Sequence, residues 1–297
     1  MPATHQAPPW ATEIKALTFD VFGTCVAWRE KIASALASAT ESKLSSASAS
    51  NSTSSDTPPS EQVLSRARSL TQEDWARFAQ EWRKALGTST RSFVPDETPW
   101  RDIDTFHHDS LVDLLAKWQL DGLFTPSEVE KLSLTWHDLP PWPETIRGLQ
   151  LLGSRYHMAA LSNGNQAILK DLNSQKGVDG SSPLGFQRLL SCDMYQAYKP
   201  NPKVYQGALR DLGLQPGEVA MVAAHLGDLE AAKKEGLRAI YVARPGELLF
   251  DAHEDKIKKA REWVDLWVEE GEGGMVEAAR RLGINVDDVS DVAGVLG

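Results

Sequence analysis

Asp20, the Ser162-Asn163-Gly164 run, Lys199 and the pair His225 and Asp228 are the polar groups whose positions could support chemistry. Each stands at, or close to, the end of a short apolar run. Asp20 closes Ala16-Leu17-Thr18-Phe19 and is followed by the turn residues Gly23 and Thr24. Ser162 and Asn163 end the run MAAL, and His225 and Asp228 follow VAMVAA. Lys199 lies in YKPNPKVY, ahead of a helix that starts near Pro202. Two acids, a hydroxyl–amide pair, an amine and an imidazole could form one catalytic centre, provided the fold brings them to one place. Each also has an ordinary reading alone. Asp20 could start a turn, Ser162 and Asn163 or Asp228 could cap a helix, and Lys199 could be a surface lysine.

The elements that must position these groups read clearly. Ala16 to Phe19 is a buried strand. After Pro143, short apolar runs alternate with helices. Strands are expected at His157–Leu161, Phe186–Ser191, Glu218–Ala224 and Arg238–Val242, with Val264–Val268 as an edge strand. Helices are expected at Glu144–Gly153, Gln166–Leu172, Pro202–Leu212, Leu229–Glu235 and Met275–Leu282. The charged run DAHEDKIKKARE reads as a solvated helix face. Such alternation predicts an α/β fold with a parallel sheet and helices on both faces. Right-handed crossovers then bring the strand C-termini to one edge, where ligands bind in open sheets of this kind.

Between Trp28 and Trp142 the pattern is helical. One helix is expected at Trp28–Thr40, a second at Leu70–Leu86 with a capping box at Thr71 and Asp74, and a third at Phe106–Leu120. A fourth starts at Thr125-Pro126-Ser127-Glu128 and runs to about Asp138. Trp75, Phe78, Ala79, Trp82 and Leu86 share one face of the second helix, and Arg83 points toward the same face. Arg83 could snorkel to the rim, or enter a cleft to meet an anion. A Ser-rich stretch at about 41–61 cannot bury a core and is expected to be a loop. The expected organisation is a core of residues 1–27 and 143–297, with residues 28–142 inserted as a helical cap.

The 297 residues carry a formal net charge of −10 and no basic stripe, which argues against a nucleic-acid partner. Two cysteines, Cys25 and Cys192, suggest neither a disulfide framework nor a metal cluster. The N-terminus lacks an apolar signal core and no segment is long enough to span a bilayer, so a cytoplasmic location without membrane association is expected.

The order FDVFGT, LSNGN, YKPNP and HLGDLEAAKKEG resembles the four signature segments of the haloacid dehalogenase superfamily. The resemblance covers roughly Ile14 to Val242, including the cap. It is closest to the 2-haloacid dehalogenase branch, in which an aromatic, here Phe22, follows the nucleophile and a cap helix carries a Trp-Arg pair, here Trp82-Arg83. The resemblance implies a Rossmann-like α/β core with an inserted helical cap. It also implies hydrolytic dehalogenation of a small 2-haloacid through a covalent aspartyl ester, without a cofactor. Asp20 would be the nucleophile, Arg83 and Asn163 would cradle the halide, and Ser162, Thr24 and the backbone near Phe22 would hold the substrate. Lys199 would keep Asp20 ionised, and Asp228 would orient Lys199 or the hydrolytic water. The branch carries Ser and Asn in the fourth segment and a Trp before the Asp. Here the stretch is Ala223-Ala224-His225-Leu226-Gly227-Asp228, with His225 at the Asn position. His225 could replace Asn as a donor, act as general base, or be a structural histidine bonded to backbone.

The alternative within the superfamily is a Mg²⁺-dependent phosphatase acting on a small phosphate ester, with Asp20 and Asp228 as metal ligands. The position two residues after Asp20, where those enzymes carry a second acid, is Phe22. A non-catalytic binding protein of the same fold is the third reading. The expected partners are a small-molecule substrate and, at most, a second copy of the chain as a homodimer.

Overall fold

The computed structural model describes residues 6–48, 58–174, 184–248 and 254–286. Two compact units divide the chain: residues 1–26 with 140–297, and residues 27–139.

The first unit is built on a six-stranded, all-parallel sheet. In chain order the strands are β1 (Ala16–Phe19), β2 (His157–Ser162), β3 (Arg188–Ser191), β4 (Val219–Ala223), β5 (Arg238–Val242) and β6 (Leu266–Val268). Their spatial order is β3-β2-β1-β4-β5-β6. Every residue of β1 is buried, which explains an apolar run without alternation, because helices cover both faces of a parallel sheet. β1 pairs with β2 on one side and β4 on the other, Phe19 lying opposite Ala160 and Val222. The reversal of winding falls at β1, so the crevice at its C-terminal end is where a ligand site is expected. The sheet follows the expected α/β architecture, and β6 is the edge strand that Val264–Val268 predicted.

Chain entry to and exit from the inserted unit are tied together within the core. Val26 bridges to Pro141, Trp142 N donates to Cys25 O, and Trp142 Nε1 donates to Gly23 O at 3.1 Å.

The second unit holds five helices among its described residues: α1 (Arg29–Ser48), α2 (Glu61–Arg68), α3 (Gln72–Ser92), α4 (Ile103–Lys117) and α5 (Pro126–Ser133). The capping boxes at Thr71/Asp74 and Thr125/Glu128 both form. The aromatic face of α3 is buried as its spacing requires, with Trp75, Phe78, Ala79, Trp82 and Leu86 all inside. Two findings correct the sequence reading. Residues 41–48, expected to be loop, continue α1, and Ser42, Ser46 and Ser48 each return their hydroxyl to the carbonyl four residues back. Such back-bonding satisfies the hydroxyl within the helix at a small cost to helix stability. At the other end of the Ser-rich stretch, Glu61 begins α2, capped by Ser60, where no helix was expected. Residues 49–57 lie outside the described residues. Among the described residues, no helix is long and apolar enough to cross a membrane.

Candidate active site

The C-terminal end of β1 delivers Asp20 into the crevice, and the strands on either side bring its partners. Both carboxylate oxygens are engaged, unequally. Oδ1 accepts from Lys199 Nζ at 2.9 Å. Oδ2 accepts from Thr24 Oγ1 at 2.8 Å and lies 2.8 Å from His225 Nδ1. Thr24 is oriented from behind, because its hydroxyl oxygen accepts from the Ala224 N–H at 2.9 Å, which aims its proton at Asp20.

Lys199 fills the centre of the site. Its three protons go to Asp20 Oδ1, to Asp228 Oδ2 at 2.5 Å and to the Leu161 carbonyl at 2.8 Å. The ammonium therefore bridges β1, the end of β2 and the start of the helix Leu226–Lys234. Its backbone is held by Asn163, whose Oδ1 accepts from Lys199 N at 2.8 Å. Asp228 is completed by Tyr205, whose hydroxyl donates to Oδ1 at 2.6 Å from the helix Pro202–Leu212.

These contacts set the charges. Burial alone would raise the Asp20 pKa; the Lys199 ammonium, then the hydrogen bond and charge of His225, reverse this and hold Asp20 well below the usual carboxylate range. Burial opposes the charge on Lys199 as well, but Asp20 and Asp228 keep it above the ordinary amine range. Asp228 moves the other way. Burial and the neighbouring Asp20 charge raise it, with Lys199 pulling against them. Two carboxylates pushed apart in this manner suit different roles, one a permanent anion and the other able to take a proton.

His225 caps the N-terminus of the helix Leu226–Lys234 with extended backbone and makes no side-chain cap bond. Its ring bonds to carboxylates rather than backbone: Nδ1 to Asp20 Oδ2 and Nε2 to Glu247 Oε2 at 3.0 Å. Burial would lower its pKa, but the two carboxylates push it up to about 9. At neutral pH it is an imidazolium donating from both nitrogens. Its side chain is 21% exposed, against 6% for Lys199 and 1% for Glu247, so of these three it is the one solvent reaches most.

The remaining predicted groups divide. Ser162 is buried, and its Oγ accepts from Gly164 N at 3.1 Å. Thr24 is fully buried, its hydroxyl donating to the nucleophile and accepting from the Ala224 N–H. Asn163 braces the Lys199 loop and accepts from Cys192 Sγ at 3.0 Å. Phe22 is buried beside Gly164, where a Cβ would stand 3.1 Å from its Cε2. Arg83 lies on α3 of the second unit, next to the buried Trp82.

Three contributors escaped the sequence reading. Tyr205 sits six residues beyond Lys199, inside the same YKPNPKVY segment that was singled out. Glu247 lies in RPGELL after β5, where no periodic pattern frames it, although the end of a parallel strand was a signal available for it. Arg244, in the same loop, is buried and donates to the Thr24 carbonyl at 2.8 Å and to Glu144 Oε1 at 2.6 Å, bracing the turn after the nucleophile.

The chain is similar to known proteins. The family described as haloacid dehalogenase-like hydrolase matches residues 14–236. (S)-2-haloacid dehalogenase 4A of Burkholderia cepacia is 34% identical over 122 residues, 39% of this chain and 49% of that protein. Haloacetate dehalogenase H-2 of Moraxella sp. (strain B) is 31% identical over 109 residues, 36% of this chain and 47% of that protein. The chain thus spans about half the length of the curated relatives it matches. Among solved structures, the L-2-haloacid dehalogenase PA0810 aligns with a TM-score of 0.65 at 29% identity, over 91% of this chain and 99% of that one.

Proposed function

The chain belongs to the haloacid dehalogenase-like hydrolase family, and on that premise we propose that it hydrolyses the carbon–halogen bond of a small 2-haloacid through an ester on Asp20. The observation that carries this reading is the state of Asp20. It is a buried carboxylate held well below the usual carboxylate range by Lys199 and His225, and its Oδ1 meets a single donor, Lys199. An sp² oxygen with one lone pair engaged keeps the other for attack.

In the first half-reaction Asp20 Oδ1 attacks the carbon bearing the halogen. The new C–O bond forms as the C–X bond breaks, and halide departs with the bonding pair. Arg83 and Asn163 are assigned to receive the halide, and Ser162 with the backbone near Phe22 to hold the substrate carboxylate. In the second half-reaction water attacks the Asp20 carbonyl carbon. Asp228, whose proton affinity is raised, takes the proton of that water and passes it to the departing hydroxy-acid oxygen. Lys199 holds both carboxylates in place throughout. The working location we assign is the cytoplasm, and the expected partner is the substrate alone or with a second copy of the chain.

A specific observation disfavours the Mg²⁺ phosphatase alternative. Lys199 Nζ stands 2.9 Å from Asp20 Oδ1 and 2.5 Å from Asp228 Oδ2, and the second oxygen of each carboxylate accepts from Thr24 and His225 or from Tyr205. A hard cation needs such oxygens as ligands, and here an ammonium lies between the two carboxylates.

The test is halide release from a panel of short 2-haloacids in the presence of EDTA, with intact-protein mass spectrometry during turnover. Release that survives chelation, with a transient mass increase equal to the substrate minus halide, is the expected result. Release only with added Mg²⁺, or turnover of phosphate esters instead, would transfer the site to the phosphatase reading. Arg83→Ala is expected to lower halide release by on the order of 100-fold with an unchanged melting curve; unaltered release would remove Arg83 from the reaction.

A further inference from the structure

We propose that Glu247 is a positioning residue that keeps His225 doubly protonated, so that His225 and Thr24 together hold the oxyanion formed on Asp20 Oδ2 when water cleaves the ester. The proposal rests on the aspartyl-ester reading above and assigns the residue at the departed Asn position the part of a donor rather than a general base.

The unequal division of donors on Asp20 is the starting point. Lys199 alone reaches Oδ1, whereas Thr24 Oγ1 and His225 Nδ1 both reach Oδ2. Oδ2 has no lone pair left for attack, so Oδ1 is the alkylated oxygen and Oδ2 becomes the carbonyl oxygen of the ester. Both donors on Oδ2 are then already aimed at the atom where negative charge develops. Donors fixed in advance on a developing oxyanion are among the largest contributions to acyl-transfer catalysis.

Alkylation, however, removes the charge that helped protonate His225. Two carboxylates face the imidazole: Asp20 from the end of β1 and Glu247 from the loop after β5. Lys199 lies on the far oxygen of Asp20. Once Asp20 is an ester it is neutral, and Glu247 is the anion that remains in contact. Its placement suits that task. Glu247 is 1% exposed at its side chain, and its Oε2 occupies space that only a glycine at position 23 leaves open: a Cβ there would stand 2.5 Å away. Its backbone N–H is turned back onto the Arg244 carbonyl at 3.2 Å.

The hydrolytic step balances. The water oxygen bonds to the Asp20 carbonyl carbon while the C=O π pair moves to Oδ2, held by Thr24 Oγ1–H and His225 Nδ1–H. One proton of the water passes to Asp228. Collapse of the tetrahedral species restores the Oδ2 carbonyl and breaks the bond from that carbon to the ester oxygen, which takes the proton from Asp228 and leaves as the hydroxy acid. The second proton of the water, left on the Asp20 carboxyl, is released to solvent and returns Asp20 to the carboxylate, while His225 ends as it began, protonated.

The experiment uses the full chain with ring-¹⁵N histidine, titrated by NMR, with the His225 signal assigned by its loss in His225→Asn. Glu247→Gln preserves a hydrogen-bonding side chain and removes the charge. It is expected to lower the His225 pKa by about 1 to 2 units, to slow ester hydrolysis about 100-fold and to leave the first halide burst close to wild type. The covalent adduct then accumulates in mass spectra, and the alkaline limb of turnover moves to lower pH. Glu247→Asp, which keeps the charge, should recover part of the rate. An unchanged His225 titration in Glu247→Gln overturns the proposal. So does slower hydrolysis in wild type at low pH together with undiminished hydrolysis above the His225 pKa, which is the signature of a general base. Absence of halide release from wild type would instead overturn the dehalogenase reading, and the oxyanion role with it, while the NMR shift would still report the Glu247–His225 coupling.

Discussion

Asp20→Asn is expected to abolish halide release, by on the order of 10⁴-fold or more, with no adduct in the mass spectrum and a folded protein. The amide cannot supply an anionic oxygen, so the first bond is never made. The local geometry sharpens this result. An amide nitrogen at the Oδ1 position would place donor against donor opposite Lys199 Nζ, and an amide nitrogen at Oδ2 would oppose Thr24 and His225. Neither amide orientation satisfies all three groups. Far-ultraviolet circular dichroism should be unchanged, because the β1 ladder to β2 and β4 is made by backbone. Halide release at the wild-type rate would show that another group attacks.

Lys199→Met is the second substitution with a large expected effect, and it acts on both stability and rate. The ammonium is buried between two carboxylates and gives its third proton to Leu161 O. Breaking a buried ion pair by removing one partner costs about 3–5 kcal/mol, because charge is left without compensation. The denaturant midpoint is expected to fall by that loss divided by the slope m, with little change in the slope itself. The rate follows from protonation. Without Lys199 the burial of Asp20 is opposed by His225 alone, so Asp20 moves upward. A larger share of it is then protonated at low pH, and a protonated carboxyl is a poor nucleophile. Residual activity is therefore expected to climb with pH over a range where wild type is flat. A pH profile parallel to wild type, merely scaled down, would mean that Lys199 serves the reaction in some way other than ionising Asp20.

The sequence shows Asp20, Lys199 and Asp228 because each lies in a pattern that secondary structure imposes: an acid ending an apolar run, a lysine before a Pro-started helix, an acid in the first turn of the next. Strand and helix order follow from the same patterns, and the parallel sheet follows from that order. What the patterns leave open is the direction of a side chain. The hydroxyl of Thr24 turns to Asp20 because the Ala224 N–H meets it from behind, a direction that the spacing of residues does not carry. Glu247 is joined to His225 only through the fold, since β5 and its loop must first pack beside β4. The extension of α1 was hidden by composition. Serine-rich sequence reads as loop unless the hydroxyls return to the helix carbonyls, as those of Ser42, Ser46 and Ser48 do.

The pairing of β1 also orders events during synthesis. Both of its neighbours lie beyond the inserted helices, β2 starting at His157 and β4 at Val219. Translation proceeds at about 5–20 residues per second, so β1 waits roughly 10–40 s for β4 to leave the ribosome. Until β2 emerges an apolar strand is exposed with neither edge paired, and until β4 emerges with one edge open, the condition in which nascent chains associate wrongly. Residues 27–139, by contrast, are complete before either partner of β1 exists. Their helices make contacts with one another, α1 with α3 and α3 with α4, so the insertion can gather its own core first. The acid that carries the reaction is among the earliest residues made and among the last to reach its place.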